Sequence, residues 1–184
     1  MADYLGINVR KPLQIKVAIT TTGTTSVIAT GGAFISRGVQ VGDIVLNITD
    51  PEYTTVTEVV SETELTVSPA GTFTQASDSI CVLSGTETID VPIQLSIIQK
   101  VNSSAFGGLN RINISMLTSD NNTDTVKIYI ENGGADSDAA RTLLVDSFAE
   151  SIENAATRGY KPNVISTLPL PNTARYAYLE VVAS

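Results

Sequence analysis

From Leu13 to Leu83 the apolar residues come in short groups that alternate with polar ones, and turn-forming residues break the groups at close intervals. Leu13-Gln14-Ile15-Lys16-Val17-Ala18-Ile19 alternates with period two, which sends successive side chains to opposite faces and suits a strand buried on one side. Ser26-Val27-Ile28-Ala29 and Ala33-Phe34-Ile35 flank Gly31-Gly32, a pair that suits a turn or kink. Ile44-Val45-Leu46 is closed by Asp50-Pro51. Residues 54–60 and 64–67 are rich in Thr and Val, whose branched Cβ atoms pack well on a pleated surface, and Ser61-Glu62-Thr63 turns the chain between them. Residues 79–83 complete the set. None of these stretches carries a helical period, so their apolar faces must cover one another. The expectation is a mainly β protein that opens with a small β-barrel or sandwich over residues 13–84, preceded by an N-terminal arm, residues 1–12.

Gly85-Thr86-Glu87-Thr88 is polar and follows the last short strand, so it reads as a boundary. Beyond it, residues 89–184 change character. Residues 91–101, 111–117 and 125–131 read as three longer strands, and 175–182 as a last one carrying Tyr176 and Tyr178 on one face. Between them lies a helical pattern over residues 137–158, with Leu144, Phe148, Ile152 and Ala155 on one stripe. Asp136 and Asp138 suit its N-terminus, and Arg158, Gly159 and Pro162 supply a basic last turn, a cap and a stop. The second half is therefore expected as an α+β module, an antiparallel sheet with one helix packed across it. Comparison of the two halves reveals no internal repeat.

The chemistry is bounded by what 184 residues leave out. With no His and a single Cys, the chain lacks Ser-His-Asp and Cys-His nucleophile systems, imidazole zinc sites and an internal disulfide framework. Net charge is −8, unevenly spread: residues 1–16 carry +2, residues 17–99 carry −8 and residues 100–184 carry −2. So acidic a middle repels phosphate backbones, and no nucleic-acid partner is expected. No apolar run approaches the roughly 20 residues that span a bilayer, and the first residues lack the basic-then-apolar pattern of a secretory signal. No membrane partner is expected, and synthesis in the cytoplasm is. Four matches to the glycosylation sequon, at Asn47, Asn102, Asn113 and Asn121, then read as coincidence.

Among the charged residues, Asp120, Asn122, Asp124 and Glu131 match positions 1, 3, 5 and 12 of an EF-hand count, making them weak candidates for a hard cation. Thr125 stands where the loop needs Gly, and residues 126–130 alternate as a strand, so a polar hairpin turn is the reading and no metal or cofactor is expected. Glu58, Glu62 and Glu64 are close in sequence, yet Glu58 and Glu64 alternate with apolar neighbours as solvent-facing strand residues do. Cys81, within Ile80-Cys81-Val82-Leu83, reads as a buried inert thiol. No glycine-rich phosphate loop and no aromatic base-stacking platform occurs. A non-enzymatic protein is expected, with no catalytic residues.

One series is more informative. Gly38-Val39-Gln40-Val41-Gly42-Asp43-Ile44-Val45 is followed by Thr54-Thr55-Val56-Thr57-Glu58-Val59 and by Thr63-Glu64-Leu65-Thr66-Val67. It resembles a β-module of small structural proteins of tailed bacteriophages, over roughly residues 33–84, and the acidic, Thr- and Ser-rich composition is similar too. The resemblance implies a virion structural protein, made in the host cytoplasm, that forms homo-oligomers and binds a major capsid or other virion protein. Capsid decoration (cement) protein is the leading expectation, with a tail, neck or fibre component beside it. Arg10 and Lys11 in the basic arm, and the extended Leu168-Pro169-Leu170-Pro171, are the expected partner-binding residues. A carbohydrate-binding or adhesin module is the alternative from another class, with Tyr176 and Tyr178 as its platform.

Overall fold

The computed structural model describes residues 4–20, 25–49, 52–69, 73, 76–94, 98–106, 109–117, 123–131, 142, 145–146, 149–150 and 175–182. The protein is mainly β, as expected, and its strands form two antiparallel sheets. In chain order the strands are β1 (Tyr4–Ala18), β2 (Ser26–Ile28), β3 (Ile44–Asn47), β4 (Glu52–Val59) and β5 (Glu64–Ser68). Then follow β6 (Ser79–Gln94), β7 (Ile98–Phe106), β8 (Leu109–Leu117), β9 (Thr123–Glu131) and β10 (Arg175–Val182). The chain divides into two compact units, residues 10–88 and residues 1–9 with 89–184. Both divisions fall inside strands, β1 and β6, rather than in a linker.

In the 10–88 unit the sheet runs β1-β6-β3-β4-β5-β2. Its core is Ile15, Ile19, Val27, Ala29, Phe34, Val39, Val45, Val56, Leu65, Val67, Phe73, Ile80 and Val82. Period two explains most of these positions: Ile15 and Ile19 on β1 and its end, Leu65 and Val67 on β5, Ile80 and Val82 on β6. The middle strands go further. β3 is buried at all four positions, and Ile44 and Leu46 lie opposite Leu83 and Cys81 of β6, a second apolar layer on the other face. Full burial of one Leu or Phe side chain contributes about 1.5–3 kcal/mol, so this two-sided pair anchors the sheet.

Residues 33–35 form no strand. They enter a single turn over residues 34–38, in which Val39 N donates to Phe34 O and Gly38 N donates to Ile35 O. That is a Schellman closure, and it needs a left-handed residue at Gly38, whose φ is +75°. Phe34 is driven into the core by the turn, a tertiary placement that alternation alone does not reveal.

The 1–9/89–184 unit holds a four-stranded sheet, β10-β9-β8-β7. Ile112 and Ile114 of β8 and Val126, Ile128 and Ile130 of β9 line one face, with Ile7 and Val9 of β1 and Ile93 of β6 packed on it. The register sets Ile112 opposite Ile128 and Ile114 opposite Val126, so β-branched side chains meet across the strands. Tyr129 stands on the other face and is 1% exposed. Of the helix expected over residues 137–158, residues 142, 145, 146, 149 and 150 are helical and the rest lie outside the described residues.

Three further expectations change. Residues 4–12, expected as an arm, are strand, because Ile7 and Val9 have a core to enter. Residues 85–88, expected as a boundary segment, do end at the division between the two units, after Thr88, but they continue β6 instead of leaving the sheet, with polar side chains facing water while the backbone stays in the ladder. Residues 91–101 are not one strand, since β6 ends at Gln94 and β7 begins at Ile98; an apolar run without Gly does not reveal where it breaks.

Candidate functional site

The series Gly38-Val39-Gln40-Val41-Gly42-Asp43 builds one corner of the 10–88 unit. Gln40 O accepts from Asp43 N, and Gly42 between them has φ +96°, the left-handed third position of a type II turn. Gly42 N donates to Val56 O and Val56 N donates to Asp43 O, which seats the turn on β4. The Asp43 carboxylate, buried, closes the corner: Oδ2 accepts from Gln40 N at 2.8 Å and Oδ1 from Gly85 N at 2.9 Å. Gly85 on β6 is required for that approach, because a Cβ there would lie 2.1 Å from the Gly42 carbonyl oxygen. Gly38, Gly42 and Asp43 are thus turn and clamp residues, and Val39, Val45, Val56, Leu65 and Val67 are core. The pattern encodes a scaffold.

Among the side chains this scaffold exposes, three are large and apolar. Ile35, Val41 and Val60 are 55%, 68% and 47% exposed. Ile35 sits on the 34–38 turn and Val60 at the β4–β5 hairpin, and these segments are tied together. Phe34 N donates to Glu62 O, and the Glu62 carboxylate accepts from Ser36 N and Ser36 Oγ. Those bonds from Ser36, the side-chain one first, hold the Glu62 carboxyl below its ordinary range. Isolated exposed hydrophobics are ordinary, but two on hydrogen-bonded neighbouring segments, with a third on the adjoining turn, make a candidate docking surface. Sequence reasoning missed it because Ile35 and Val60 read as strand residues. Their only signal was proximity to Gly38 and to Ser61-Glu62-Thr63.

Arg10 and Lys11 are placed differently from each other. Arg10 is buried, and its guanidinium Nη1 donates to Ser84 O at 3.2 Å and Gly85 O at 2.9 Å, so it ties β1 to β6 rather than reaching outwards. Lys11 is half-exposed and pairs with Glu87 at 2.6 Å, an exposed ion pair worth at most about 1 kcal/mol. Leu168, Pro169, Leu170 and Pro171 lie outside the described residues.

The EF-hand count fails on geometry. Asp120 and Asn122 lie outside the described residues, while Asp124 and Glu131 are both on β9, which pairs with β8 and β10. Seven residues of extended chain separate them by roughly 23 Å, far beyond the reach of one cation. Among the described residues no group of three Asp, Glu, His or Cys side chains gathers to hold a metal. Glu58 is exposed on β4, and Glu64 accepts from Ser26 Oγ at 3.0 Å. Cys81 is a buried free thiol. Among the described residues no helix is long and apolar enough to cross a membrane.

On the four-stranded sheet, Tyr129 Oη donates to Glu180 Oε2 at 3.2 Å. Burial, then the Glu180 charge, pushes the phenol up to about 12, with Arg111 acting in the opposite direction. Tyr176 and Tyr178 do not share the simple register expected of them. A slip between them sets Tyr176 opposite Ile130 and Tyr178 opposite Tyr129, positions that alternate between the two faces of β9. Comparison of the chain with family models, with characterised proteins and with solved structures finds no match.

Proposed function

We propose that this chain is a non-enzymatic structural protein of a tailed-phage virion, a capsid decoration (cement) protein that self-associates and binds the major capsid shell. The observation that carries the reading is the exposed apolar set Ile35, Val41 and Val60, held on rigid turns of the unit whose residues resemble the phage β-module. Such a protein works through geometry. Many copies, each making a modest apolar contact, bind a repeating lattice with an avidity that one contact lacks.

Two finer features of the fold belong to the same proposal. The 10–88 unit is a small barrel or sandwich, which the two-sided burial of β3 supports. The helix expected over residues 137–158, packed across the four-stranded sheet, belongs to the proposal as well.

The test is co-sedimentation with shells assembled from the major capsid protein of the phage that encodes the chain. Saturable binding at a fixed ratio to shell subunits is expected. Ile35→Ser with Val60→Ser should weaken it about tenfold or more while circular dichroism and thermal midpoint stay unchanged. Absence of binding to shells overturns the decoration reading, and binding to isolated tails instead moves the protein to the tail.

A further inference from the structure

Among the described residues the two sheets end in four outer strands, and three of them carry features that discourage a further strand from adding. β2 is only three residues long. β1 carries Arg10, Lys11, Pro12 and Lys16. β10 carries Arg175 and Glu180 and has the register slip between Tyr176 and Tyr178. β7 differs. It is nine residues long without Pro or Gly, and its one irregularity lies at its start, between Ile98 and Lys100. After Lys100 come six uncharged residues, Val101-Asn102-Ser103-Ser104-Ala105-Phe106, in unbroken antiparallel register with β8 from Val101↔Ile114 to Phe106↔Leu109. Its backbone is therefore a regular ladder on one side, and among the described residues no strand lies on the other.

A strand in that state presents a row of N–H and C=O groups whose best partner is another regular, uncharged, unpaired strand. Among the described residues only a second β7 meets that description. We infer that β7 pairs antiparallel with β7 of a second copy about a two-fold axis, joining two four-stranded sheets into one of eight. Antiparallel pairing of a strand with its own copy is self-complementary, so one six-residue segment supplies both sides of the interface. The inference deepens the self-association in the proposed function and rests on it, by naming the surface that performs it.

Light scattering of the purified full chain across a hundredfold concentration range tests it. The wild type is expected as a dimer or a higher even multiple. Asn102→Lys with Ser104→Lys sets like charges of the two copies side by side and should halve the mass without changing circular dichroism. If that variant does not fold, hydrogen exchange of wild-type β7 amides replaces it: protection should fall on dilution while β8 and β9 stay protected. A wild-type monomer, a folded lysine variant of unchanged mass, or β7 protection independent of concentration overturns the pairing. Shell binding is read separately. A monomer that binds shells sinks the β7 pairing alone, whereas a lysine-sensitive dimer that ignores shells supports the pairing and removes the decoration role.

Discussion

β3 and β8 are both inner strands, yet they meet their surroundings in opposite ways. β3, Ile44-Val45-Leu46-Asn47, is buried at every position, with Val45 in the main core and Ile44 and Leu46 against Leu83 and Cys81 on the other face. β8 alternates: Ile112 and Ile114 are buried, while Arg111, Asn113 and Ser115 are half-buried. A strand covered on both sides needs an apolar run, and one covered fully on a single side needs period two. The difference teaches that a short unbroken apolar run, here the three residues Ile44-Val45-Leu46, reports a strand buried twice, a distinction that composition does not convey.

The sharpest way to break this contrast acts on the clamp that holds β3 in place. Gly85→Val forces a side chain into the Gly42 carbonyl, with the nearest approach at 2.1 Å for Cβ alone. It should cost about 3 kcal/mol or more and shift the urea midpoint of the 10–88 unit strongly downwards. An unchanged midpoint would mean that the Asp43–Gly85 contact does not hold the corner.

A second comparison sets the two strands side by side. Leu46→Ala on the second face of β3 should cost about 2–5 kcal/mol, as a core truncation does. Ser115→Ala on the second face of β8 should stay within about 0.5 kcal/mol. Equal effects in denaturant titrations would erase the contrast between the sheets.

The smallest effect appears only in alkali. Tyr129 has its folded pKa raised, from about 10 to about 12, chiefly by burial. Its contribution is fully present below pH 10 and is lost as pH rises towards 12, because the unfolded chain gives up the proton first. Thermal midpoints of the wild type should fall across that window more steeply than those of Tyr129→Phe. Parallel curves would place Tyr129 in a more solvated setting than its 1% exposure indicates.

The strands β4, β5, β9 and β10 were legible, β4 and β5 from their Thr- and Val-rich runs and β9 from its alternation, whereas the faces that Tyr176 and Tyr178 take on β10 were not, because the register slips between them. Cys81 was legible as a buried thiol because its neighbours in β6 are apolar. Arg10 was not legible as a buried tie: nothing near it in sequence announces the Ser84 and Gly85 carbonyls that it meets 74 and 75 residues away. The docking surface was hidden for a related reason, since Ile35 is exposed only because the Schellman turn spends Phe34 on the core.

By itself the sequence determined the strand-rich class and an acidic chain without the residues of imidazole or multi-thiol chemistry. Those follow from local sterics and from side-chain inventory, which require no knowledge of distant partners. The tertiary structure alone decided that residues 4–9 join the second half, that Gly85–Thr88 continue a strand, and that Asp124 and Glu131 stand apart. Pairing and burial between residues far apart in the chain set those outcomes, and local pattern does not encode which distant strand supplies the partner.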